Sequence, residues 1–317
     1  MSAAILFFLL GLVLLALGGD SIVKSASGLA QRFGASPFVA GLLLVAFGTS
    51  LPELAVNARA VWAGLPALAL GNAVGSNVVN VGLTLGAAAL AAPLLVRWRA
   101  LAPLLLVLIL ATAAVIALGW DGTLSQLDGV LLLLAFVAVL AFALARSGRE
   151  SAEVRAAVDG FARTQTGLAL NLLRFAVAVL LLYFGARWVV ASAPALGAAL
   201  GMAPLLTGLL VVAIGTALPE VAAAIAAARR GQGDLVAGHV IGSSLFNLLV
   251  VIGGMAAFHE VAVPASFVRF ELPAALAFAL LLVPVLRGDF RVSRREGGVL
   301  LLAFAAWVVF EVWLMRG

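Results

Sequence analysis

Two pairs of segments decide the fold. LVAFGTSLPELA (residues 44–55) is followed by GNAVGSNVVN (71–80), and VVAIGTALPEVA (211–222) by GHVIGSSLFN (238–247). A single shift of 167 residues superposes the first pair on the second without a gap. From Pro37–Gly86 against Pro204–Gly253, twenty of fifty positions are identical. Among them are Gly48/Gly215, Thr49/Thr216, Pro52/Pro219, Glu53/Glu220, Ser76/Ser243 and Asn80/Asn247. Apolar bias alone matches Leu with Leu and Ala with Ala. It does not match Thr-x-Leu-Pro-Glu and Gly-Ser-x-x-x-Asn at one offset. The chain is therefore built from two copies of one unit.

The solvent of that unit follows from composition. Of 317 residues, 65% are hydrophobic and 10% charged, against roughly 45–50% and about 25% in soluble domains. Mean hydropathy is +1.22. Runs such as Leu101–Leu118 and Gly129–Ala145 are continuous rather than alternating, which excludes a transmembrane barrel. Only helices satisfy their own backbone in lipid over such lengths. With no cysteine and two histidines, disulfides, thiolate sites and histidine-rich metal centres are excluded. Met1–Gly19 has no Lys or Arg ahead of its apolar run, so it reads as a first span rather than a signal peptide.

Loop signals place ten spans near 4–31, 36–63, 66–91, 100–118, 124–145, 166–193, 202–229, 234–257, 269–286 and 295–315. The organisation read from them is a first five-helix repeat (1–145), a cytoplasmic linker (146–165) and a second repeat (166–317). Thirteen of the 19 basic residues fall in alternate loops: Arg32; Arg97 and Arg99; Arg146, Arg149, Arg155 and Arg163; Arg229 and Arg230; Arg287, Arg291, Arg294 and Arg295. The opposite loops hold Arg59, Arg269 and Arg316. By the positive-inside rule both termini lie outside the cytoplasm. The net charge of +5 is thus an orientation signal, and no nucleic-acid partner is expected. An odd number of spans per repeat turns the second copy upside down, the arrangement of secondary transporters with a midplane site. The fold expected is all-α, integral to the membrane, with ten transmembrane helices in two inverted five-helix repeats.

Among the 14 acids, Glu53 and Glu220 stand apart, because both fall inside apolar segments and the 167-residue shift relates them. A carboxylate in the membrane interior costs about 3 kcal/mol and is a functional candidate by default. Pro52 and Pro219 leave the carbonyls of Gly48 and Gly215 without a helical N–H, which predicts a broken helix beside each carboxylate. Thr49 and Glu53 are four apart, as are Thr216 and Glu220, Ser76 and Asn80, and Ser243 and Asn247. That spacing stacks each pair on one helix face, so four helices converge on a cage of oxygens. Such a cage selects hard cations: Ca²⁺ first, then Na⁺. Gly71, Gly75, Gly82, Gly238 and Gly242 suit close helix approach. Asp20 and Lys24 are spaced to pair along the first span, Arg174 to snorkel to the inner surface, and Arg187 to meet a structural partner.

At these motifs the chain resembles the cation/calcium exchanger superfamily, specifically prokaryotic sodium/calcium exchangers, over essentially its whole length. The resemblance implies that Glu53 and Glu220 are central carboxylates shared by Ca²⁺ and Na⁺. It implies backbone-carbonyl Ca²⁺ ligands at Thr49 and Thr216, and Na⁺-site hydroxyls at Ser50, Ser76 and Ser243. Ala46 and Ala213 match the Na⁺-site carbonyls, and Asn80 and Asn247 the polar pair beside the centre. It also implies that the first and sixth spans slide against the rest. Two positions depart from the pattern. Ala217 stands opposite Ser50 and lacks its hydroxyl, and Asn247 lacks the charge that an Asp brings in some relatives. Both bear on Na⁺ more than on Ca²⁺, and proton-coupled relatives share the architecture.

The expected function is Ca²⁺/Na⁺ antiport by alternating access in a prokaryotic inner membrane, with Ca²⁺/H⁺ antiport as the alternative. The chain is not expected to be an enzyme, to carry a cofactor or to need a protein partner. It is expected to work as a monomer in the lipid bilayer. A channel gathers its selectivity residues around an oligomeric axis, whereas the symmetry here lies within one chain. A hydrolase needs a nucleophile with a base, and Ser50 near Glu53 lacks a histidine for that role.

Overall fold

The structure is a computed structural model and describes residues 1–32, 50–146, 167–287 and 291–314. Among the described residues ten helical segments follow one another: α1 (Ser2–Arg32), α2 (Leu51–Trp62), α3 (Pro66–Ala91), α4 (Trp98–Leu118), α5 (Gln126–Arg146), α6 (Leu168–Ala199), α7 (Pro204–Arg229), α8 (Gly233–Phe258), α9 (Phe267–Arg287) and α10 (Arg294–Leu314). Eight of these are long and apolar enough to cross a bilayer, and α5 adds a shorter apolar stretch over Gln126–Phe142. The expected spans are recovered to within a few residues, except that α6 runs on past the expected end at 193 to Ala199. The second is described only from residue 50 onward.

Two short antiparallel pairings show how the copies relate. β1 (Leu94–Leu95) pairs with β4 (Arg291–Val292), and β2 (Thr123–Leu124) with β3 (Val261–Ala262). The 167-residue shift carries β1 onto β3, and a shift of 168 carries β2 onto β4. Exchanging the halves therefore exchanges the two pairings. They lie at opposite ends of α4, whose 21 residues span about 30 Å. The operation that superposes the repeats thus swaps the faces of the molecule, and the repeats are inverted.

Local chemistry repeats with the fold. Gly64 and Gly231 both close a helix at φ +74°, the left-handed region glycine enters without penalty. After them, the Leu65 N–H donates to the Ala60 carbonyl at 2.9 Å and the Gln232 N–H to that of Ala227 at 3.0 Å. At the start of α5 the Ser125 and Asp128 side chains cap each other's backbone N–H, as Ser293 and Glu296 do for α10. Such reciprocal capping satisfies donors that a helix start leaves free.

The halves meet through α3, α7 and α8. α3 and α8 form the centre, each with 83% of its apolar window buried, against 22% for α6. A Cβ on Gly71 would stand 1.9 Å from the Leu205 carbonyl oxygen, and one on Gly208 2.0 Å from that of Leu68. Backbones touch there only because side chains are absent. Gly75 and Gly82 are similarly tight, whereas Gly238 has nothing nearer than 4.0 Å, so close approach does not explain that residue. α1 and α6 form the most extensive helix pair and cross closely at Gly11 and Gly185. Lys24 bonds Asp20 at 2.7 Å on the exposed side of α1. Arg187 is exposed, and the structural partner expected for it is not found among the described residues.

The ends differ in charge. The β1–β4 end carries Arg97, Arg229, Arg230, Arg287, Arg291, Arg294 and Arg295. There Asp234 takes both the backbone N–H and the Nε of Arg97, each at 2.7 Å. The β2–β3 end carries Arg59 and Arg269 beside Asp121, His259 and Glu260.

Candidate functional site: a buried oxygen cage

In the first half α2 begins at the motif itself, with Pro52 in its first turn, where a proline's missing N–H costs nothing. Glu53 follows and is 1% exposed. Ala46, Gly48 and Thr49 lie outside the described residues, so the expected break at Gly48 has no structural counterpart to report. In the second half the helix does not break at Gly215. It runs as α-helix from Ala213 to Arg229 through Pro219. The irregularity lies one turn earlier, as a π-helical segment over Thr207–Val212. A π turn takes in extra residues and displaces the carbonyl ladder.

Thr216 Oγ1 donates back to the carbonyls of Val212 (3.1 Å) and Ala213 (3.3 Å). The Thr216 side chain also reaches Glu53, and the charges of Glu53 and Glu220 act on each other. The expected convergence of the two carboxylates across the repeat boundary is therefore present.

The polar stripes of α3 and α8 meet at the same place. Ser50 Oγ donates to Ser243 Oγ at 2.7 Å, and Asn80 Nδ2 donates to the same oxygen at 3.1 Å. Asn247 Nδ2 donates to Asn77 Oδ1 at 3.1 Å, and Asn77 Nδ2 to the Ser244 carbonyl at 3.2 Å. Asn77 and Ser244 were not singled out in the sequence, though the same shift relates them. Their signal was a polar pair in equivalent places on two apolar helices. Asn80 and Asn247 each begin a six-residue π-helical segment, Asn80–Leu85 and Asn247–Ile252. Residue periodicity gave no warning of either.

Among the described residues, six side-chain oxygens of this cluster are buried without a hydrogen-bond partner: Glu53 Oε2, Glu220 Oε1, Ser76 Oγ, Asn80 Oδ1, Ser244 Oγ and Asn247 Oδ1. A buried polar atom left unpaired costs about 1–3 kcal/mol. A hard cation satisfies several such acceptors at once. No thiolate stands among them, and the one imidazole close by is that of His239, whose Nε2 lies 3.7 Å from Glu220 Oε1. His239 was also not placed at the site from sequence. It falls four residues before Ser243, on the same helix face.

Two inverted five-helix repeats closed around a buried cage of oxygens define a secondary transporter of cations. Comparison with known proteins gives the family. The chain belongs to the sodium/calcium exchanger protein family, whose pattern matches residues 3–145 and 170–313. These proteins exchange cations across membranes and are not enzymes; the transported ions are their substrates. Inner membrane protein YrbG of Escherichia coli K12 is 34% identical over 99% of this chain and 98% of its own. Putative antiporter CaxA of Alkalimonas amylolytica is 34% identical over 97% and 98%. Sodium/calcium exchanger MaX1 of Methanosarcina acetivorans is 29% identical over 96% and 97%. Among solved structures, the sodium-calcium exchanger NCX_Mj soaked with 10 mM Na⁺ and 10 mM Sr²⁺ superposes with a TM-score of 0.67 at 29% identity, covering 97% of this chain and 98% of that one. The same exchanger soaked with zero Na⁺ and Ca²⁺ gives 0.65 at 29% identity over the same shares.

Proposed function

We propose that the chain is an antiporter that extrudes Ca²⁺ in exchange for Na⁺ at the cage between its repeats. The observation that carries this reading is the set of six unpaired buried oxygens, two of them on symmetry-related carboxylates. Glu53 and Glu220 together balance one divalent charge, and Thr216, Ser50, Ser76, Ser243, Asn80, Asn247 and Ala213 supply neutral oxygens around them. Thr49 and Ala46 complete the set by their place in the motif. Ca²⁺ and the coupling ion compete, because both need the same two carboxylates. An occupied cage is neutralised and passes through the occluded state at low cost. An empty one holds uncompensated charge in a medium that penalises it. That difference enforces exchange over leak.

Alternation follows from exchange of conformation between the two repeats, 1–145 and 166–317, joined by the linker 146–165. The close α1–α6 pair supports its moving as a unit against the centre. The arginine-rich β1–β4 end faces the cytoplasm, with both termini outside, in a prokaryotic inner membrane. The working unit is a monomer.

Ala217 favours a second reading, Ca²⁺/H⁺ antiport. Ser50 donates a hydroxyl into the cage, and its counterpart in the second half has none to give. Purified protein in sealed vesicles separates the two. Ca²⁺ flux driven by an imposed Na⁺ gradient at equal pH supports Na⁺ coupling. Flux that follows only a pH gradient replaces it with proton coupling.

A further inference from the structure

The second half contains two more buried acids that the cage does not use. Glu271, in the first turn of α9, is 3% exposed, and Glu311, in the last turn of α10, is 1% exposed. Both lie toward the β2–β3 end. Their neighbours Phe270 and Phe310 are in edge contact at 6.4 Å between ring centroids, and the charges of the two acids act on each other. Glu271 Oε2 and Glu311 Oε1 have no hydrogen-bond partner among the described residues. The indole Nε1 of Trp307, 6% exposed and equally unpartnered, reaches the Glu311 carboxyl from one turn away. The Ser266 side chain reaches Glu271.

The repeat shows that the fold does not require these groups. Aligning Arg99 and Pro103 with Arg269 and Pro273 sets Leu101 against Glu271. Aligning Ser125, Gly129 and Phe136 with Ser293, Gly297 and Phe304 sets Val139 against Trp307 and Ala143 against Glu311. Three apolar residues of one half have become two acids and an indole in the other.

Among the described residues no cation offsets the pair; Arg316 lies outside them. Arg269 is exposed, as are His259 and Glu260 on the preceding turn. Arg287, Arg291, Arg294, Arg295 and Glu296 stand at the far ends of α9 and α10. Of the helices packed against them, α3 carries no titratable side chain and α4 only Arg99, also at the far end. A metal ion is a poor occupant. Two carboxyls and a hydroxyl fall short of the 6–8 oxygens Ca²⁺ takes, and an indole N–H is a donor that repels cations.

We propose that Glu271 and Glu311 form a proton-binding site separate from the exchange cage, the pair holding one exchangeable proton. The step is a simple association: a carboxylate oxygen takes a proton from the β2–β3 face and releases it there, with no other bond made or broken.

Infrared titration in lipid tests this whichever ions the cage exchanges. In the full chain carrying E53Q and E220Q, a protonated-carboxyl C=O band is expected at neutral pH, shifting in ²H₂O. It is expected to disappear when E271Q and E311Q are added. Should that amide pair fail to fold, E271L with E311A introduces the residues of the first half and serves in its place. Absence of the band in the E53Q/E220Q protein, or its persistence after either replacement, overturns the proposal.

Discussion

The two halves share a backbone plan and differ in what they bring to the cage. In the first half Ser50 donates to Ser243 across the repeat boundary, while Asn72 Nδ2 donates to Asn57 Oδ1 at 3.0 Å and ties α3 to α2. The equivalent positions in the second half are Ala217, His239 and Ala224. With no amide at Ala224 to meet, His239 stands 3.7 Å from Glu220 instead. Glu53 is 1% exposed, whereas the Glu220 side chain is 10% exposed. Inversion supplies two matching carboxylates, and the surrounding residues then make one of them more buried and the other more accessible. The cage is symmetric in charge and asymmetric in neutral ligands.

Where the halves match, matched substitutions should act alike. The largest effect is expected from the carboxylates. E53Q and E220Q should each lower Ca²⁺ flux roughly 100-fold or more, the size of losing a charge-assisted ligand worth about 3 kcal/mol. A normal rate in one of them would make that carboxylate structural and break the symmetry of the account. Next come Gly71 and Gly208, which face each other's helices at under 2.1 Å for an added Cβ. G71A and G208A should each destabilise by about 1–3 kcal/mol through overpacking, read as a similar drop in thermal aggregation midpoint. If only one of the two were affected, the contact between repeats would not be the shared element described.

Where the halves differ, the effects should be smaller and of opposite sign. S50A removes one buried hydrogen bond, about 1 kcal/mol, and should weaken half-maximal Na⁺ activation about fivefold. A217S, which restores the missing hydroxyl, should strengthen it. Equal responses in the same direction would dismiss the hydroxyl asymmetry as a source of ion preference. The smallest change is expected for H239N, which gives the second half the amide of the first. At fixed pH, Ca²⁺ affinity should move by less than about fivefold, the scale of a weak 3.7 Å pairing worth under 1 kcal/mol. A loss comparable to E220Q would make His239 a ligand in its own right.

Much of this was legible in the residues. Uninterrupted apolar runs place helices because lipid leaves no other solution for the backbone, and GTSLPE against GTALPE exposes the repeat because polar identities in apolar sequence are costly and therefore informative. What escaped was geometry without a compositional trace. The π-helical segments at Asn80, Thr207 and Asn247 lie within the same apolar runs as the α-helix around them, so hydropathy does not mark them. Pro219 signalled a break, yet the helix runs through it, and the irregularity lies upstream at Thr207–Val212. His239 and Asn77 reach the cage because helix faces, not sequence neighbours, determine what converges. Glu271 and Glu311 were passed over because repetition was the filter for function, and neither has a copy in the other half. Among the described residues Glu53 and Glu220 are therefore not the only acids buried in the interior, and what sets them apart is that the repeat relates them.

Equilibrium binding of ⁴⁵Ca²⁺ to the purified chain tests the central claim most directly. A single cage shared by both repeats predicts one competable Ca²⁺ per chain, lost in E53Q and lost equally in E220Q. One Ca²⁺ per chain retained in either variant, or two independent sites in the unaltered protein, would contradict it.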